Sequence, residues 1–138
     1  MNRKVILVVD DDPAFVFATE KAIEKIWPHC MVEHAEEGRE AIELIRRENK
    51  PDLILLDFYM PGISGLDILK EIRKNDKTRY VPVVVHTASS RGSDLKAAYD
   101  AGANSYLNKN LDFISFTEEL NAVLHYWLDV NRSVADAA

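Results

Sequence analysis

Only one cysteine, Cys30, occurs in the 138 residues. A lone thiol cannot close an internal disulfide, which excludes a cross-linked secreted scaffold and makes the cytoplasm the simplest expected home. Long apolar runs are missing as well. The purely aliphatic stretches Val5 to Val9 and Leu53 to Leu56 fall far short of the roughly 20 residues that would span a bilayer. Met1-Asn2-Arg3-Lys4 leads straight into the first of them without the apolar stretch and small-residue cleavage site of a secretory signal, so no membrane association is expected. Positive charge is scarce: 23 acids against 17 bases leave a net charge of -6, with no basic stripe, which argues against nucleic acid as a direct ligand. No Gly-rich first loop offers to cradle a nucleotide phosphate, and the D-x-D-x-D-G spacing of a Ca²⁺ loop is absent. His29, His34, His86 and His125 are scattered without metal-ligand spacing, so surface or packing roles are expected of them.

What is present is an apolar content of 47% and five repetitions of strand followed by helix. Val5 to Val9 is β-branched and apolar without alternation, the pattern of a strand buried on both faces of a parallel sheet. Asp12-Pro13 reads as a helix start, Asp12 capping free N–H groups and Pro13 standing where its missing donor costs nothing. Phe15, Ala18, Ala22 and Ile26 then recur at helical spacing. A short strand is expected near Met31 to His34, and an amphipathic helix from Gly38 to Glu48. Leu53 to Leu56 repeats the buried-strand pattern and ends at Asp57, and a turn-rich loop leads into a helix carrying Leu66, Ile68, Leu69 and Ile72. Val81 to Val85 predicts a fourth strand ending near His86-Thr87, and Ser93 to Ala101 a helix closed by Gly102. Ser105 to Leu107 predicts a fifth strand, and a last helix runs from Asp112 through Trp127. Short βα connections imply right-handed crossovers and an α/β fold with a doubly wound, five-stranded parallel sheet. The reading is one domain over residues 1–130 with a flexible tail over 131–138.

In such a sheet ligands bind beyond the carboxyl ends of the strands. Those positions hold Asp10, Asp11 and Asp12 after the first strand, Asp57 after the third, Thr87 at the fourth and Lys109 after the fifth. Clustered carboxylates are resolved by a hard divalent cation or by protonation, and the oxygen-only donor set favours Mg²⁺. Asp12 is better explained as a helix cap than as a ligand. Asp57 can attack phosphorus as a carboxylate, Lys109 can pair with a phosphoryl oxygen, and Thr87 can donate a hydrogen bond to another.

These residues resemble the receiver domain of two-component response regulators, of the CheY-like type. The likeness rests on Val9-Asp10-Asp11-Asp12-Pro13, Leu55-Leu56-Asp57-Phe58-Tyr59-Met60-Pro61-Gly62, Val85-His86-Thr87-Ala88, Gly102-Ala103-Asn104-Ser105-Tyr106 and Lys109. It implies a (βα)5 flavodoxin-like fold and phosphotransfer from a histidine kinase to Asp57. It also implies a metal held by Asp10, Asp11, Asp57 and the backbone carbonyl of Tyr59. A switch is implied in which Thr87 moves toward the phosphoryl group and Tyr106 turns inward, with a downstream target reading the face of the fourth helix, fifth strand and fifth helix. Tyr59 and Ser89 fall at positions that tune the access of water to the phosphoryl group in this family, so Tyr59→Asn is expected to shorten its lifetime. The family's Lys-Pro pair is Lys109-Asn110 here, which puts in doubt the cis peptide usual after the lysine. Tyr99 to Tyr106 and Tyr126-Trp127-Leu128 are similar to single-domain regulators of bacterial phytochrome-type kinases. That narrower likeness implies a phytochrome-type or hybrid kinase partner and a homodimer through the output face.

Two rival functions share parts of this pattern. A Mg²⁺-dependent aspartyl-phosphate phosphatase would carry D-x-D, where Asp57-Phe58-Tyr59 lacks the second acid, and a cap domain for which 138 residues leave no room. A docking module without phosphotransfer would not need every phosphoacceptor position to hold a competent residue.

Overall fold

The computed structural model describes residues 3–109 and 112–134. Asn110, and with it the geometry of the Lys109-Asn110 peptide, lies outside the described residues, as does the tail beyond 134. Five parallel strands form one sheet in the order β2-β1-β3-β4-β5. They are β1 (Val5–Val9), β2 (Met31–Ala35), β3 (Leu53–Leu56), β4 (Val83–Thr87) and β5 (Ser105–Asn108). The helices α1 (Pro13–Ile26), α2 (Gly38–Ile45), α3 (Gly65–Lys74), α4 (Gly92–Asp100) and α5 (Phe113–His125) alternate with them. This is the doubly wound parallel sheet that the strand and helix pattern implies, in the flavodoxin-like form implied by the family resemblance.

The unbroken aliphatic runs serve both faces of the sheet. Leu7, Val9, Ile54, Leu56, Val83 and Val85 pack under α2, α3 and α4 with Ile45, Ile68, Leu69 and Ile72. Ile6, Val8, Leu53, Leu55 and Val84 pack on the opposite side with Val16, Ile23, Phe116, Leu120 and Leu124 of α1 and α5. The residues of β3 and most of those of β1 and β4 are buried, so each side chain meets a helix layer whichever way the pleat points it.

Several boundaries differ from the sequence reading. The second helix stops at Ile45, not Glu48. Arg47 turns back to bind the Glu33 carboxylate of β2 at 2.7 and 2.8 Å, which takes the chain off the helix axis. The fourth strand begins at Val83, since Pro82 has no N–H to give the ladder although its carbonyl accepts from Ile54 N at 3.0 Å. The last helix passes at Tyr126 into a π-helical turn that ends at Val130. Trp127, half-buried against the α5 layer, anchors this turn by donating from Nε1 to Ser105 Oγ at 3.2 Å.

Candidate functional site

The strand ladders run on into the acidic positions and fix their backbones. Asp10 N donates to Ala35 O at 3.0 Å, Asp57 N to Val9 O at 2.9 Å, and Lys109 N to Thr87 O at 2.9 Å. The β3–α3 loop is drawn tightly under Asp57 as well. A Cβ on Gly65 would lie 2.2 Å from the Asp57 carbonyl oxygen, so only glycine lets α3 start there. Ser64 caps that helix, its Oγ accepting from Asp67 N at 3.2 Å.

Asp10, Asp11 and Asp57 converge, each offering an oxygen within 4.8 Å of the others. Asp10 and Asp57 are buried and Asp11 is exposed. Asp12 stands apart as the cap of α1, accepting from Ala14 N at 3.0 Å, as expected of it. Lys109 reaches across from the end of β5, its Nζ 2.6 Å from Asp10 Oδ2 and 3.1 Å from Asp57 Oδ2. The remaining Asp57 oxygen, Oδ1, accepts from Tyr59 N at 3.2 Å. Thr87 is fully buried, and its hydroxyl accepts from Ser89 N at 3.5 Å. The half-buried Tyr106 packs its ring edge-on to Phe58 and donates its hydroxyl to Ser89 O at 3.0 Å.

Burial pushes the Asp10 carboxyl above its usual range, against the pull of the Lys109 hydrogen bond. Burial also disfavours the charge on Lys109, but the hydrogen bond it donates to Asp10 and the charges of Asp10 and Asp57 outweigh this and raise its pKa. A buried carboxylate oxygen pair partly neutralised by one lysine, with an exposed third acid, fits a hard divalent cation: the donors are all oxygen and water can complete the shell.

Parts of this site were not read from the sequence. The Lys109 ammonium lies over the Phe15 ring, and that ring meets His86 edge-on. His86 is buried between Phe15 and Phe116, a packing role as expected, but neither ring nitrogen has a partner. Arg91 and Asp94 also enter through their bonds to Tyr59. Their i, i+3 spacing at a helix start was the only sequence signal for the last pair.

The chain matches the family model described as "Response regulator receiver domain" over residues 6–121. It is 34% identical over 119 residues to Protein PilH of Pseudomonas aeruginosa, covering 86% of this chain and 96% of PilH. The crystal structure of the phosphorylated cyanobacterial phytochrome response regulator RcpA superposes with a TM-score of 0.90 at 26% identity, covering 96% of this chain and 99% of RcpA. The receiver domain of the Pseudomonas aeruginosa sensor histidine kinase PA1611 superposes with a TM-score of 0.77 at 27% identity, covering 92% of this chain and 98% of that one. That domain was crystallised with a magnesium ion coordinated in its active-site cleft. With the sheet order, the acidic cluster and these similarities agreeing, the chain belongs to the response-regulator receiver family of two-component signalling and is homologous to its single-domain members.

Proposed function

We propose that this chain accepts a phosphoryl group on Asp57 from a histidine kinase, in a reaction that depends on Mg²⁺, and works as a signalling protein rather than a turnover enzyme. The observation that carries the reading is the meeting of Asp10, Asp11 and Asp57 at the strand ends with the Lys109 ammonium 3.1 Å from Asp57 Oδ2. Asp10, Asp11, Asp57 and the Tyr59 carbonyl would hold Mg²⁺. When bound, the ion supplies charge neutralisation for the incoming phosphoryl oxygens. Support for that choice of cation comes from the magnesium in the PA1611 receiver domain.

An Asp57 carboxylate oxygen attacks the phosphorus of the kinase phosphohistidine. The new P–O bond forms as the P–N bond breaks, and its electron pair returns to the imidazole nitrogen. Lys109 exchanges its contact with Asp57 for one with a phosphoryl oxygen, and Thr87 turns its hydroxyl toward another. Hydrolysis of the acyl phosphate later resets the site. A phosphatase with multiple turnovers fits less well, because the residue two past Asp57 is Tyr59 and not an acid.

A phytochrome-type or hybrid kinase is the partner favoured by the likeness to RcpA. The exposed Leu95 and Tyr99 of α4 support a homodimer through the α4-β5-α5 face. Among the described residues no helix is long and apolar enough to cross a membrane, in keeping with a cytoplasmic site of action.

Treatment with acetyl phosphate and Mg²⁺, followed by intact mass and size measurement, tests the reading. One phosphoryl group should add to the native chain and none to Asp57→Asn. A group retained in Asp57→Asn would refute the assignment.

A further inference from the structure

Beyond the ends of β3 and β4 a polar bridge joins three segments. Tyr59 and Ser89 each stand two residues past a residue of the site and are tied back to it by their amides. Tyr59 N donates to Asp57 Oδ1 at 3.2 Å, and Ser89 N to Thr87 Oγ1 at 3.5 Å. Both side-chain hydroxyls then end on one oxygen of α4. Asp94 Oδ2 accepts from Tyr59 OH at 2.5 Å and from Ser89 Oγ. Arg91 completes the bridge, with Nε 3.3 Å from the same oxygen and Nη2 donating to Tyr59 OH at 2.6 Å.

The phenol hydroxyl thus donates a hydrogen bond to Asp94 and accepts one from Arg91, which fixes a large ring that is otherwise half exposed. Asp94 itself is mostly covered, with 19% of its side chain exposed against 71% for Arg91. Three donors, Tyr59 OH, Ser89 Oγ and Arg91 Nε, converge on that one carboxylate oxygen. Charge-assisted bonds of this kind are stronger than neutral ones. Ser89 extends the bridge to β5, its carbonyl accepting from Tyr106 OH at 3.0 Å.

We propose that Asp94 is a positioning residue: acting through Tyr59 and Ser89, it holds the phenol and the β4–α4 loop across the approach to Asp57, and so prolongs the life of the phosphoryl group. The proposal rests on the reading that Asp57 carries that group. In the step that is slowed, a water oxygen bonds to phosphorus and the bond from phosphorus to the Asp57 oxygen breaks. The electron pair returns to the carboxylate, a water proton is released, and inorganic phosphate leaves.

The test follows loss of the phosphoryl group by intact mass, after loading with acetyl phosphate and Mg²⁺ and removal of the donor. The native chain is compared with Asp94→Ala, Asp94→Asn, Tyr59→Phe and the Asp94→Ala/Tyr59→Phe double variant, each checked for a native-like unfolding transition. Asp94→Ala and Tyr59→Phe should each shorten the lifetime roughly fivefold, equivalent to about 1 kcal/mol. The double variant should decay no faster than the quicker single one, because both changes cut the same bond. Asp94→Asn, which keeps an acceptor oxygen, should recover part of the lifetime. A native lifetime in Asp94→Ala, or full additivity in the double variant, overturns the role of Asp94. If Asp94→Ala does not fold, Tyr59→Phe decides alone, and a native lifetime there overturns the proposal. Failure of the native chain to take a phosphoryl group sinks the Asp57 reading as well, whereas normal loading on Asp57 with unchanged decay in the variants removes only Asp94.

Discussion

The Lys109 ammonium lies 4.2 Å from the centroid of the Phe15 ring. The same nitrogen donates to Asp10 and Asp57, so the ring face is a third, neutral contact that favours the cation without competing for its protons. A desolvated contact of this type contributes about 0.5–2 kcal/mol. Phe15→Leu keeps apolar volume but loses the ring, and should slow phosphorylation by acetyl phosphate by roughly 2- to 30-fold. Phe15→Tyr should stay near the native rate. Native loading of Phe15→Leu, read by intact mass over time, would contradict this.

His86 makes stability depend on pH. Burial, assisted by the charge of Lys109, lowers its pKa from 6.5 to about 4. The folded chain holds the ring neutral, while below about pH 6.5 the unfolded chain takes up a proton that the folded one refuses. This part of the stability is complete above the unfolded value and is lost as pH falls toward about 4. Between pH 7 and 5 the loss attributable to His86 should be about 2 kcal/mol. Urea unfolding across that range should show His86→Phe losing less stability than the native chain, by about that amount. Parallel profiles for the two would contradict it.

Arg73, at the end of α3, fastens two loops without a carboxylate partner among the described residues. Its guanidinium donates to Gly102 O at 2.8 and 3.0 Å, to Val81 O at 2.8 Å and to Asn104 Oδ1 at 2.8 Å. Burial lowers its pKa, and the carbonyl dipoles stand in for a counter-ion. Gly102, with φ +106, leaves the space this needs, since a Cβ there would lie 2.9 Å from Arg73 Nε. A lysine cannot reproduce the fork, so Arg73→Lys should cost about 2 kcal/mol in urea unfolding. A loss below about 0.5 kcal/mol would show that the loops hold without it.

Most of the fold was legible because strands buried on both faces are written as unbroken aliphatic runs, and those runs stop at Asp10 and Asp57. The edge strand β2 was faint for the same reason: of its residues only Ala35 is buried, so its pattern carries little signal. The acidic cluster was legible because parallel strands must deliver their carboxyl ends to one edge. The bridge through Asp94 and the ring beneath Lys109 were not. Tyr59 and Asp94 are 35 residues apart, and their meeting depends on how two loops settle over the sheet, which no local pattern records. His86 sits in a strand of valines and reads locally as a strand residue. Its unpartnered nitrogens exist only because Phe15 and Phe116 close over it.

The most direct test of the account is to map the modified residue. The chain is loaded with acetyl phosphate in the presence of Mg²⁺, the acyl phosphate is reduced with borohydride, and the position converted to homoserine is found by peptide mass spectrometry. The account predicts homoserine at 57 alone, lost on chelation of the cation before loading and absent from Asp57→Asn. Conversion at position 10 or 11, or undiminished conversion without a divalent cation, would contradict it.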